Sequence, residues 1–325
     1  MFKPSPSSLM RNFKLSLIQL GGTTPDKTKN LDRARKLILE ASTKSDLVVL
    51  PECFNSPYGV KYFEKYAENI PTPGKPTGEL SESIKMLSDV AKQAKVHIIG
   101  GSIPEREEGT GRIFNTLTVY DNEGNLIGKH RKLHLFDIDI PGKISFKESE
   151  TLTAGSDITI VDSRKYRLMT SLIITDRLQH SARLDLAFVT MLGSQSTRFI
   201  YFVSDANKVN RMAMIAARKG CVAMIYPGAF NTTTGPLHWE LLQRARAVDN
   251  QFYVAMCSPA RDETAEYHAW GHSTVVNPSG QVIATTDEQE SIVYADIDVE
   301  QLQQIRSGIP LSSQRRFDVY ADVSK

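Results

Sequence analysis

From Phe13 onward, apolar runs of strand length alternate with segments of helical period. FKLSLIQL (from Phe13), DLVVLPE (from Asp46) and VHIIGGSIPE (from Val96) are short and rich in β-branched residues, whereas residues 29–41 and 80–95 repeat apolar positions every three or four. That rhythm predicts an α/β layered domain. FNTLTVYDNEGNLIGKHRK then reads as a hairpin, two alternating strands joined by a turn at Asp121 to Gly124, so Lys132 follows a strand directly. The second half repeats the scheme: helix MAMIAARKG, strand CVAMIYPG, helix LHWELLQRARAVDN, strand FYVAMCSPA and hairpin HSTVVNPSGQVIATT. Two such halves facing each other would stack two sheets with helices outside. No Pro/Gly/Ser-rich linker divides them, so one domain is expected over residues 12–298, followed by a tail, 299–325, whose Phe317, Val319 and Tyr320 suit docking onto the domain or a second subunit, or belong to a frayed end.

Composition narrows the function classes. The chain has 325 residues, 41% of them hydrophobic, and a net charge of +2 without a long run of either sign, which gives no electrostatic reason to expect nucleic acid or an anionic membrane as partner. A small molecule is the expected ligand. Cys53, Cys221 and Cys257 are an odd number at unrelated spacings, which fits a reducing compartment and no zinc pattern. The expected location is cytoplasmic; the alternative is mitochondrial, because Lys3, Arg11, Lys14 and several serines precede the first acid, Asp26. No apolar stretch approaches the roughly 18 residues that span a bilayer. His134, His238, His268 and His272 lack metal-ligand spacing and read as hydrogen-bonded histidines.

Two residues stand out as chemistry. Glu52 closes an apolar strand and precedes the turn formers Asn55, Pro57 and Gly59, where partial burial raises a carboxyl toward general-base values. Taken alone, a glutamate there is more often a cap, and Lys132, among Lys129, His130, Arg131 and His134, is more often a solvated side chain.

Longer strings change those odds. PECFNSPYG, GGSIPE, KHRKLHLFDIDIPGKISFKESETL, IYPGAFNTTTGPLHWELLQRARAVDNQ and SPARDETAEYHAWGHSTVVNP resemble the nitrilase superfamily, specifically its omega-amidase branch, over nearly all of the chain except Arg164 to Met212. The resemblance implies a four-layer α-β-β-α sandwich, a homodimer paired through a helix-lined face, and hydrolysis of a small amide without metal or organic cofactor. It makes Glu52 the general base, Lys132 the oxyanion-stabilising cation and Glu148 a second glutamate that orients the lysine. It also places Tyr58, Phe230, Thr234 and Trp239 in loops shaping a pocket for a short dicarboxylate monoamide; core aromatics are the competing reading. The implied reaction releases ammonia from 2-oxo acid monoamides such as 2-oxoglutaramate or 2-oxosuccinamate.

The family's attacking cysteine, in a G-x-G-I-C-Y-D-x-R-F motif, has no counterpart. Similarity breaks at about Arg164 and returns at Ala213, and the longer stretch between them contains no cysteine. Either an intron or a shifted reading frame has been translated, or the chain has truly lost the thiol; as written it should form no thioester. Ser171 and Thr175 in this stretch are weak substitutes, hydroxyls without an evident activating base. Cys53 should point away from Glu52 by strand alternation, while Cys221 and Cys257 read as core. Residues 164–212 are expected to be poorly formed, because Leu172, Ile173, Phe188, Phe199, Ile200 and Phe202 have no family slot. Two other readings remain: a catalytically silent protein acting through dimer or partner contacts, and an amidase for deaminated glutathione.

Overall fold

The apolar runs fold as strands of two sheets in the computed structural model, which describes residues 11–74, 79–142, 144–159, 161 and 210–320. β1 (Phe13–Gln19), β2 (Leu47–Val49) and β3 (His97–Arg106) run parallel, and β4 (Ile113–Tyr120) and β5 (Leu126–Arg131) follow as antiparallel neighbours. Helix α1 (Lys27–Ser42) starts at Asp26, whose carboxylate accepts the Lys29 N–H; α2 (Val60–Tyr66) is short, and α3 (Glu82–Ala94) leads into β3. The hairpin β6 (Asp137–Ile140) and β7 (Ile144–Lys147) stands apart from both sheets.

The second sheet repeats the scheme on four strands: β8 (Ala223–Pro227) and β9 (Tyr253–Cys257) run parallel, and β10 (Thr274–Val276) and β11 (Val282–Thr285) antiparallel. Helices α4 (Asn210–Arg218) and α5 (Gly235–Asn250) precede β8 and β9. The last strand, β12 (Ser291–Ile297), leaves its own half and pairs antiparallel with β1, making the first sheet six-stranded.

Burial defines the layers. Leu15, Leu17, Leu47 and Val49 join β8, β9, α4 and α5 side chains in one core, while Ile18, Val48, Leu50 and Ile98 on the other face of the first sheet meet Ile38 of α1 and Leu87 and Val90 of α3. This is an α-β-β-α stack. Helix α6 (Val299–Gly308) buries Val299 and Leu302 in the same core, so the first part of the tail is docked on the domain, and α7 (Leu311–Gln314) follows. The stretch 164–212, with Ser171 and Thr175, falls outside the described residues, except that α4 begins at Asn210 and buries Met212. Among the described residues, no helix is long and apolar enough to cross a membrane.

Candidate active site

The parallel strands of both sheets deliver loops at their carboxyl ends, where open α/β folds collect polar groups. After β2, Pro51 ends the ladder and residues 52–55 form a turn. Gly101 supports that turn. Its φ is +58°, and a Cβ there would lie 2.0 Å from the Pro51 carbonyl oxygen, so only glycine lets β3 approach so closely. The β3–β4 register shifts between Ile99 and Ser102, and Ser102 secures the turn by accepting the Cys53 N–H at Oγ (3.1 Å) and the Phe54 N–H at its carbonyl (3.3 Å).

Glu52 is buried and its carboxylate is held on both sides. Asn115 Nδ2 and Lys132 Nζ donate to Oε1 at 2.8 and 3.0 Å, and the Ala229 N–H, just past β8, donates to Oε2 at 3.0 Å. Lys132 follows β5, its N–H donating to the Asn115 carbonyl (2.8 Å), and its ammonium reaches Glu148 Oε1 at 2.8 Å and Oε2 at 2.7 Å. Glu148 opens a 3-10 turn after β7 and also accepts Tyr58 Oη (2.8 Å) and the Phe136 N–H (2.7 Å). The structure therefore gathers Glu52, Lys132 and Glu148, 80 and 16 residues apart along the chain, with side chains no more than 1% exposed.

Burial pushes the Glu52 carboxyl up, against the pull of the Lys132 ammonium, and Glu148 adds to the rise. For Lys132, burial works to remove the proton, but the two carboxylates outweigh it and hold the amine above the ordinary lysine range. The two directions have different leading causes: loss of water favours the neutral form of Glu52, whereas the two neighbouring carboxylates favour the charged form of Lys132. Such an arrangement can exchange a proton with a bound substrate and present a cation to a developing oxyanion.

The remaining expected residues divide. Tyr58 packs edge-on against Tyr267 (4.6 Å between centroids) and stacks on Phe146 of β7 (5.6 Å), forming a wall beside Glu148. Tyr267 in turn donates its hydroxyl to the Ala229 carbonyl. Phe230 is buried against Trp239, and Trp239 lies inside α5, not in a loop, donating its indole N–H to the His272 carbonyl (2.6 Å); both belong to the core. Thr234 is the N-cap residue of α5, its hydroxyl 3.3 Å from Asn231 Oδ1. The strand-alternation argument for Cys53 fails, because β2 ends at Val49 and Cys53 turns with φ +51° into a cluster with Phe63, Ile113, Leu152 and Tyr58. It lies near the carboxylates, yet burial first and both carboxylates next push its thiol far above the ordinary value. Sequence reasoning also missed Asn115, whose signal was an amide inside an apolar strand, and the backbone donors of Phe136 and Ala229, which have no sequence signature.

Comparison with known proteins places this geometry. The family description "Carbon-nitrogen hydrolase" matches residues 14–307. The chain belongs to the carbon-nitrogen hydrolase family. Within it, the omega-amidase NIT2 of Bos taurus is 48% identical over 312 residues, covering 96% of this chain and 98% of the bovine one. The omega-amidase NIT3 of Saccharomyces cerevisiae is 45% identical, covering 97% of each. The crystal structure of Saccharomyces cerevisiae Nit3, a member of branch 10 of the nitrilase superfamily, superposes with a TM-score of 0.78 at 41% identity, covering 97% of this chain and 100% of that one. The fold is accordingly the nitrilase-type α/β architecture.

Proposed function

We propose that this chain carries the substrate site of an omega-amidase, built to hold a short 2-oxo acid monoamide such as 2-oxoglutaramate or 2-oxosuccinamate. The observation that carries the reading is the buried Lys132 ammonium held between Glu52 and Glu148. In this reading the substrate's amide carbonyl lies toward Lys132, which stabilises the oxyanion, Glu52 moves the proton, and Glu148 keeps the lysine aimed, with Tyr58 holding Glu148 from behind. In this reading Thr234, in the loop after β8, helps shape the pocket, while Phe230 supports that loop from the core. The names of the bovine and yeast relatives support the substrate class.

The reaction needs a nucleophile that forms a thioester and releases ammonia. All three cysteines of this chain are buried and outside any disulfide, and none lies between Lys132 and Cys221. A thiol is absent where the family motif carries one, so the chain as it stands binds without acyl transfer. This favours the second reading, a catalytically silent nitrilase-fold protein acting through contacts. The same reading supplies a homodimer: Leu237, Leu241 and Val248 of α5, 65%, 63% and 48% exposed, form one stripe on an outer helix, suited to a second copy.

One experiment separates these readings. Ammonia release from 2-oxoglutaramate and from deaminated glutathione is measured for the chain and for a chimera whose residues 164–212 are replaced by the bovine NIT2 segment. We expect a silent chain and a chimera that turns over 2-oxoglutaramate faster, with Glu52→Gln abolishing turnover. A folded chimera inert toward 2-oxoglutaramate sinks the substrate reading, and sedimentation at rising concentration tests the dimer.

A further inference from the structure

A cavity of about 240 Å³ lies where the C-terminal helices cover the ends of α4 and α5. Arg218, Arg306 and Arg315 line it, with Asn250, Gln251 and Ser312. Arg306 donates Nε to the Gln251 carbonyl (2.9 Å) and Nη2 to the Cys221 carbonyl (2.6 Å); Arg315 donates Nη2 to the Asp249 carbonyl. Arg218 lies over the Phe317 ring, 4.3 Å from its centroid.

Capping of helix carbonyl ends accounts for these hydrogen bonds but, among the described residues, leaves the charges of Arg306 and Arg315 uncancelled. A neutral carbonyl offers a partial dipole to a full positive charge. Among the described residues no carboxylate lies within ion-pair distance of Arg306 or Arg315. The one acid on the lining, Asp249, has its carboxylate 63% exposed and 3.9 Å from Arg246. Arg306 is the most costly case, since burial pulls its pKa below the ordinary arginine value, the nearby Cys221 opposes that only in part, and no carboxylate among the described residues pairs with it. Each guanidinium has five N–H donors, and the bonds above use two on Arg306 and one on Arg315, so donors remain for a ligand. Planar forks around a small cavity match the oxygens of a phosphate group.

We propose that this cavity is a binding site for a small doubly charged oxyanion of the phosphate type. It is separate from the carboxylate cluster and independent of the amidase reading. The test is thermal unfolding of the full chain against inorganic phosphate, at constant ionic strength made up with chloride. We expect a saturable rise in Tm of a few degrees. Arg315→Gln abolishes the rise, and Arg315→Lys keeps part of it. The Tm of each variant in chloride alone reports whether it folds, and calorimetric titration of phosphate provides a second readout should Arg315→Gln prove unstable. Glycerol phosphate run in parallel separates a site for the free ion from one open to phosphomonoesters; either pattern supports the site. A response no larger than chloride gives, or an undiminished one in a folded Arg218→Gln/Arg315→Gln variant, overturns it.

Discussion

Asn115 and Lys132 share one acceptor: both donate to Oε1 of Glu52, at 2.8 and 3.0 Å, while the Lys132 backbone N–H donates to the Asn115 carbonyl. One residue on β4 thus fixes the carboxylate through its side chain and the cation through its main chain. Asn115→Leu removes a donor to a buried carboxylate and should cost about 2 kcal/mol in urea unfolding. It should also drive the Glu52 carboxyl further up, since its ionised form loses a hydrogen bond. A stability equal to that of the parent would show that the contact is idle.

Removing the lysine is costlier. Lys132→Met leaves two buried carboxylates without their cation, and the expected loss is about 3–5 kcal/mol. Adding Glu52→Gln to Lys132→Met should return part of it, because the remaining charge is smaller. A double-mutant cycle measures this directly, and additive losses would contradict a coupled cluster.

The pH dependence has a definite sign. The folded Glu52 carboxyl lies above the ordinary 4.5, with burial as the largest cause, so the folded chain holds a proton that the unfolded chain releases. The associated stability is fully present below 4.5 and is lost as pH rises through the folded value. Lys132 works alongside it, its contribution present below 10.5 and lost only as pH climbs through its own higher folded value. Unfolding free energy should therefore decline from pH 4.5 upward by at most about 1.4 kcal/mol per pH unit on account of Glu52. In Glu52→Gln that decline should disappear; persistence of the slope would assign it elsewhere.

Thiol chemistry offers a simple check on the missing nucleophile. Cys53, Cys221 and Cys257 are buried, and burial holds the Cys53 and Cys257 thiols well above their ordinary value. Iodoacetamide at neutral pH should label none in the native chain and all three in denaturant. Rapid native labelling of Cys53, read by peptide mass spectrometry, would reopen it as an attacking group.

Most of the sandwich was legible because its strands are buried runs bounded by Gly, Pro and Asn, and its helices carry apolar periodicity. β12 was not, since SIVYADI is half-buried and its partner β1 lies far back in the chain, a pairing that no local pattern encodes. The β6–β7 hairpin carries a readable signal, alternating DIDI before Pro141 and Gly142, yet it joins neither sheet. At the site, Glu52, Lys132 and Glu148 came from long motif strings, whereas the reading of Cys53 failed on a detail of chain path, the strand stopping at Val49. The N–H groups of Ala229 and Phe136 were beyond any residue-type argument, because every non-proline residue has one.

Among the described residues, the donors to Glu52 and Glu148 are Tyr58, Asn115, Lys132, Phe136 and Ala229. They come from both halves of the polypeptide, Ala229 lying just past β8 and the other four on the first half. The proton-handling group is thus a clasp between the two sheets, and a change that shifts one sheet against the other would be felt first at the Glu52 carboxylate.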